Sequence, residues 1–448
     1  MRFNDRLGAV TDIQRGNMSN SIEQHPTVRR LKTTRFILGV ISFLVSVGLL
    51  YLVLSMTFQV DLDASDGGRF VFKPWLGHQW WWLVLAGLGI GIVSLTSDHF
   101  ESNPEFVQIF PAGKTVPDWL TNTTDICQMI DQLSVEMDVE IDRVYVANEH
   151  IPNAFASLVL QRGHIIVLYR NLLQIMDKES LKSVLAHECA HAKGEDVRYR
   201  LLNILPRLLM VWIVLLKGVQ LCGILLLASD IWSLAVRLFT LVVYVFMVNI
   251  LFTIVAWFEN QYSQVKEKLA DIYGAAHTSV EGSINAFLRL NDRSHTLELL
   301  EDVLNQRFEK IDPQSLLVAL KAFPTGSKNM DEITELITKT YVKAHVWSLC
   351  TALDIAESER AGLIERMTEE LLSFIPEKEL DERAIVDSPF AWQQFDWNHD
   401  GFLQANELSA MIALLRKDTL ALTDKEGSGT HPPMRDRILL LADVFMKE

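Results

Sequence analysis

From Phe36 to Met56 the chain reads FILGVISFLVSVGLLYLVLSM, without a single charge. As a helix this run is long enough to cross the ~30 Å hydrocarbon core of a bilayer. The competing assignment is a buried core helix, but uncharged runs of this length are rare in soluble domains. A polar segment of 35 residues precedes the run, so it is not a simple cleavable signal peptide. A mean hydropathy of +0.16 points the same way.

Three further apolar stretches extend the membrane reading. Trp80–Thr96 is short; Trp80, Trp81 and Trp82 look like an interfacial anchor, and Gly87, Gly89 and Gly91 suit close helix packing. Leu208–Ala228 is interrupted by Lys217 and Gln220. Ile231–Trp257 carries Arg237 near its start. The last two read as a helical hairpin turning at Ser229-Asp230. Lys217 is costly against lipid, so it faces a cavity or partner, or the pair inserts only in part. The N-terminal arm holds Arg2, Arg6, Arg15, Arg29, Arg30, Lys32 and Arg35, whereas the loop after the first span has only Arg69 and Lys73. The positive-inside rule therefore puts the N-terminus in the cytoplasm. Each hairpin then returns the chain to that side, for 97–202 and for 258–448.

Length and charge bound the rest. The chain's 448 residues allow two or three domains. Its four Cys form no CxxC pair and no disulfide framework, as expected of reduced thiols on a cytoplasmic side. A net charge of −15 argues against nucleic acid as a partner.

The segment from Asp177 to His191, DKESLKSVLAHECAH, reads as one helix with Asp177 as N-cap and Gly194 as C-cap. His187 and His191 lie four apart, so both imidazoles leave one face and can bind one Zn²⁺. Glu188 then reaches a zinc-bound water as general base. The alternative is a surface helix with two solvated histidines. Against it stand the apolar context and a third ligand candidate, Glu267, in Glu-Lys-Leu-Ala-Asp after the fourth span. Asp271, one turn on, can orient a ligand imidazole.

Together these residues resemble the integral-membrane zinc peptidases that include the HtpX heat-shock protease and, more distantly, the CAAX prenyl protease. The resemblance covers roughly Ile141–Leu290 and the last twenty residues. It implies that Val144–Ala156 is a strand followed by an Asn-Ala-Phe-Ala motif beside the active site. Asn153 and Ala154 would then be substrate-side contacts; the plainer reading is a turn after an ordinary strand. The segment from Thr430, THPPMRDRI, resembles the family's His-Pro-Pro element, with His431 or Arg437 stabilising an oxyanion. Otherwise it is a helix start capped by Thr430.

A second motif lies at 396–407, DWNHDGFLQANE, and matches a twelve-residue EF-hand loop. Asp396, Asn398 and Asp400 take positions 1, 3 and 5, Gly401 the turn, Phe402 a carbonyl ligand and Glu407 the bidentate carboxylate. The alternative is an acidic turn without affinity. No second such loop is found, although these loops usually pair.

The expected fold class is a mainly α membrane protein with about four transmembrane helices, a zincin-like α+β peptidase domain with a small sheet beside the zinc helix, and a helical insertion. The expected segments are an arm (1–35), two spans (36–96), the first zincin part (97–202), a membrane hairpin (203–257), the third-ligand helix (258–293), the insertion (294–424) and the C-terminal element (425–448). The expected function is endopeptidase action on membrane or misfolded proteins, with one catalytic Zn²⁺ and one Ca²⁺ that tunes the packing of the insertion against the peptidase cleft. The resemblance sets it in a bacterial inner membrane with the site facing the cytoplasm. Alternatives are a CAAX-type processing protease and a Ca²⁺-sensing scaffold with an inactive peptidase fold.

Overall fold

The structure, a computed structural model, describes residues 22–55, 58–62, 70–74, 106–111, 117, 120, 123–149, 151–159, 163–194, 211, 214, 230–305, 312, 315–316, 330–353, 355–374, 391–417 and 431–446. The expected span Trp80–Thr96, and Leu208–Ala228 apart from two positions, lie outside these residues, as do Lys217 and Thr430.

Two described helices are long and apolar enough to cross a membrane. Helix α1 (Pro26–Ser55) contains the first uncharged run as far as Ser55. After it come strands β1 (Phe58–Leu62) and β2 (Phe70–Pro74), paired antiparallel. The other long helix runs unbroken from Ile231 to His277 and is introduced below as α5; Asp230 caps it by accepting from Ser233 N. At 1.5 Å per residue its 47 residues reach about 70 Å, more than twice a hydrocarbon core. One rigid rod thus joins the fourth apolar run to the residues around Glu267. Phe36, Phe43 and Leu44 on the first helix, and Trp232, Phe239, Val242 and Phe246 on the second, point outward. Apolar surface this extensive marks contact with lipid or protein.

The soluble part begins with β3 (Phe106–Phe110), α2 (Thr123–Met137), β4 (Arg143–Ala147), β5 (Ala154–Val159) and β6 (Gly163–Tyr169). The sheet order is β3-β4-β6-β5; β4 and β6 are parallel, the other pairs antiparallel. The expected small sheet is therefore present, with β5 at the edge of the described sheet. Alternation along β4 buries both faces. Val144 and Val146 join Ile166 and Leu168 under α2, while Tyr145 and Ala147 join Ile165 and Val167 on the other side.

Short α3 (Arg170–Ile175) leads into α4 (Lys178–Lys193), whose Leu185 and Cys189 complete the first core. Asp177 caps α4 as expected, accepting from Glu179 N and Ser180 N. Gly194 closes it with φ −67, so glycine's left-handed freedom is not used there. Helix α5 (Ile231–His277) and α6 (Val280–Asn305) follow. The insertion, expected to be helical, holds α7 (Met330–Ala352) and α8 (Glu357–Phe374), which pack with Leu304 of α6 around Ile337, Tyr341 and Val346.

A further core joins remote stretches. Ile22 and Val28 from before the first apolar run meet Leu269 and Ile272 of α5 and Ile284 and Leu288 of α6. Trp392 and Phe395 of a 3-10 turn (Ala391–Phe395), Met411 of α9 (Ala405–Arg416) and Ile438 of α10 (Met434–Phe445) fill it. Helix α10 starts at Pro433 as N-cap, without a side-chain cap, so the helix begins after both prolines rather than at Thr430.

Candidate metal centre

Helices α4 and α5 approach each other closely where Gly274 faces His187. A Cβ on Gly274 would stand 3.1 Å from the His187 backbone nitrogen and 3.2 Å from its Cα. Sequence reading gave Gly274 no role; a glycine seven residues after Glu267 and three after Asp271, on the same helical face, was the available signal.

Across this contact three donor atoms converge. His187 Nε2 and His191 Nε2 are 3.0 Å apart. Glu267 Oε2 lies 3.4 Å from His187 Nε2, and its Oε1 lies 3.4 Å from His191 Nε2. A tetrahedral ion with bonds of about 2.0–2.1 Å sets its ligand atoms about 3.3 Å apart. The set therefore fits a zinc-sized ion, and it is the one group of this kind among the described residues. Glu267, on α5, is buried.

The electrostatics are those of a cation-binding site. Burial works to raise the Glu267 carboxyl, but hydrogen bonds from His187, His191 and His431 outweigh it and hold the group well below the usual carboxylate range. Burial by itself would lower His187, yet Asp271 and Glu267 push it up to about 10.

Around the triad, Asp271 Oδ1 stands 2.9 Å from His187 Nδ1. Arg437 grips Asp271 with two bonds, Nε to Oδ2 at 2.7 Å and Nη2 to Oδ1 at 2.6 Å. Burial favours a neutral Asp271, but the Arg437 charge prevails and lowers it. The same guanidinium lies 4.0 Å above the Phe287 ring. Arg437 therefore stands behind Asp271, an arrangement not visible in the spacing of 166 residues between them. His431 Nδ1 is 3.2 Å from Glu267 Oε2 and its side chain is 57% exposed, at the rim of the site.

A cavity of about 170 Å³ opens over these residues. Glu188 and His187 line it, and Glu188 Oε2 is buried with no hydrogen-bond partner among the described residues. Asn153 and Ala154, at the start of β5, line it too, as do His431 and Arg437. Val184, Leu172, Ala286 and Leu290 make an apolar wall. The resemblance-based contacts at 153 and 154 are thus in the same cavity as the triad.

Residues 121–443 match the model of Peptidase family M48, nearly three-quarters of the chain. The chain belongs to this family. Among curated relatives, a Protease HtpX homolog of Dictyoglomus thermophilum is 32% identical over 73 residues, 16% of this chain and 24% of that protein. One of Streptococcus thermophilus is 24% identical over 131 residues, 29% of this chain and 42% of that protein. One of Lactobacillus helveticus is 22% identical over 148 residues, 33% of this chain and 47% of that protein. The chain thus spans from about a quarter to about half of the relatives' length. The crystal structure of S. mikatae Ste24p is 13% identical, with 74% of each chain covered and a TM-score of 0.35.

The 396–407 segment is a separate cluster. Asp396 accepts from Asp400 N and Gly401 N, Asn398 accepts from Asp400 N, and Asp400 accepts from Phe402 N. Gly401 has φ +75, a left-handed turn that favours glycine. Glu407, on the first turn of α9, accepts from Trp397 N and Gln404 N. Leu403 is fully buried, and its N–H and C=O both bond to the Asn285 side chain, at 2.8 and 2.9 Å. Asn285 of α6 thus satisfies both backbone groups of Leu403.

Proposed function

We propose that this chain is a zinc-dependent membrane endopeptidase. The observation that carries the reading is the triad of His187, His191 and Glu267, with donor atoms 3.0–3.4 Å apart, beside a buried Glu188 whose Oε2 has no hydrogen-bond partner among the described residues. In this reading the three residues hold Zn²⁺, which when bound supplies Lewis acidity for peptide hydrolysis.

Glu188 is the general base: it takes a proton from the attacking water and passes it to the leaving amine. Glu188 lines the cavity that would hold both. Asp271 fixes the His187 ring, and Arg437 keeps Asp271 ionised and in place, so Arg437 is a positioning residue. His431, at the rim, is the donor we assign to the developing oxyanion. The substrate backbone aligns along β5, at the edge of the described sheet, from Asn153 and Ala154, which line the cavity. Substrates are membrane or misfolded proteins met at the cytoplasmic face of a bacterial inner membrane. The support for that is the two long apolar helices, the basic arm and the HtpX-named relatives. The 396–407 loop binds Ca²⁺ through Asp396, Asn398, Asp400, the Phe402 carbonyl and Glu407; its support is the match of every diagnostic position. The intact Glu188 speaks against an inactive scaffold.

The test is metal content and casein cleavage on detergent-purified protein, for wild type and Glu267→Ala. About one zinc per chain, lost together with cleavage in the variant, is the expected result. Zinc-free, inactive wild type that still takes up Ca²⁺ would overturn the peptidase reading in favour of the scaffold.

A further inference from the structure

Helix α6 is shared between the cavity and the 391–407 segment. Ser283, Ala286, Phe287 and Leu290 line the cavity. From the same helix, Asn285 bonds both backbone groups of Leu403, and Asp292 accepts from Trp392 Nε1. Arg289, between them, reaches three elements at once. Its Nη2 donates to Gly401 O at 2.7 Å. Its Nη1 lies 2.8 Å from Asp177 Oδ2 and 3.2 Å from Ile175 O. The other Asp177 oxygen accepts from Glu179 N and Ser180 N, the first amides of α4. His187 follows ten residues later, about 15 Å along the same helix.

We propose that Arg289 is a positioning residue that couples the 396–407 loop to the helix carrying His187, Glu188 and His191. Ca²⁺ in the loop and a ligand in the cavity then each strengthen the binding of the other. This rests on the zinc and calcium assignments made above. The physical basis is the rigidity of the guanidinium, a planar fork whose donors point in fixed directions. The Phe402 carbonyl would face the ion, and the Gly401 carbonyl belongs to the peptide just before it. Drawing Asp396, Asp400 and Glu407 onto a cation fixes that peptide's direction. The guanidinium held by Gly401 O is then fixed too, and with it the bonds to Asp177 and Ile175 at the start of α4. Lysine could reach one or two of these acceptors but not hold three in one plane.

Equilibrium coupling is reciprocal, so two binding measurements must give one factor. The experiment uses full-length, zinc-loaded protein in detergent. Calorimetry measures Ca²⁺ affinity with and without a peptide hydroxamate; competition measures hydroxamate affinity with and without Ca²⁺. In wild type each ligand is expected to tighten the other by the same factor, about fivefold or more. In Arg289→Ala and in Asp177→Asn the factor falls to one while each ligand alone still binds. Arg289→Lys does not restore it. Asp177→Asn keeps the helix cap, because asparagine caps as well as aspartate, and it decides the matter if Arg289→Ala fails to fold. A wild-type factor of one with both ligands bound overturns the proposal, as does full coupling in both variants. Wild type that takes up no Ca²⁺, behaving as Glu407→Gln does, overturns the calcium assignment and this inference but leaves the zinc site standing. A hydroxamate that does not bind zinc-loaded wild type overturns the peptidase reading as well.

Discussion

At the scale of single residues, the site is made by a few atoms whose roles separate under substitution. Glu188→Gln leaves the three proposed metal ligands untouched, so zinc content should stay near one per chain. Turnover of casein should drop by about 10²–10⁴-fold, the usual worth of a general base. A fully active Glu188→Gln protein would sink the mechanism. Asp271→Asn removes the charge facing His187 Nδ1 and leaves Arg437 without its ionic partner. Zinc affinity should weaken by about 10–100-fold, read by chelator competition. Gly274→Ala sets a methyl 3.1 Å from the backbone of His187. Backbone gives way less easily than a side-chain tip, so the helices must part. We expect a loss of about 1–3 kcal/mol in stability, seen as a lower thermal midpoint, together with weaker zinc retention.

At the scale of elements, local sequence rules account for much. Asp177 caps α4 because its short carboxylate reaches the free amides of the first turn. The strand that the resemblance implies from Val144 is in the sheet, because alternation can bury both faces of a central strand. What local rules missed is the second use of α6. Its pattern shows apolar residues on the cavity side, but Asn285, Arg289 and Asp292 look like ordinary solvated polar positions until the loop they hold is seen. Asp292 is the extreme case: burial pushes its carboxyl up to about 8, although the Trp392 hydrogen bond opposes this. In the unfolded chain the same group ionises near 4. Between those values the folded protein holds a proton that the unfolded chain has lost, so stability falls as pH rises and levels off above about 8. Asp292→Asn removes that slope. Its advantage over wild type should grow from pH 4 to pH 8, on the order of a few kcal/mol at most. Thermal midpoints of both proteins across that range would check it, and parallel curves would refute it.

At the scale of the whole molecule, the unexpected feature is the core joining residues 22–28 to the C-terminal helices. Val28 is fully buried there although it precedes the first apolar run by only eight residues. Nearby, Glu23 accepts from Tyr273 Oη and pairs with Lys32. The arm's end is therefore part of the domain that holds Glu267. Val28→Asp should leave membrane insertion intact but destabilise this domain by several kcal/mol, since it buries an unpaired charge. Limited proteolysis between α6 and α10 would report it; an unchanged digestion pattern would count against the shared core.

The sequence by itself determined the apolar run at 36–56, the helix with two histidines four apart and the twelve-residue pattern at 396–407. Each is local: a length, a spacing or a short pattern fixes it, because helix and loop geometry repeat every few residues. Only the tertiary structure decided that Arg437 stands behind Asp271, that Gly274 permits the close approach of α4 and α5, and that Asn285 and Arg289 hold the loop. Those contacts join residues more than eighty positions apart, and they depend on how whole helices pack, which no local spacing records.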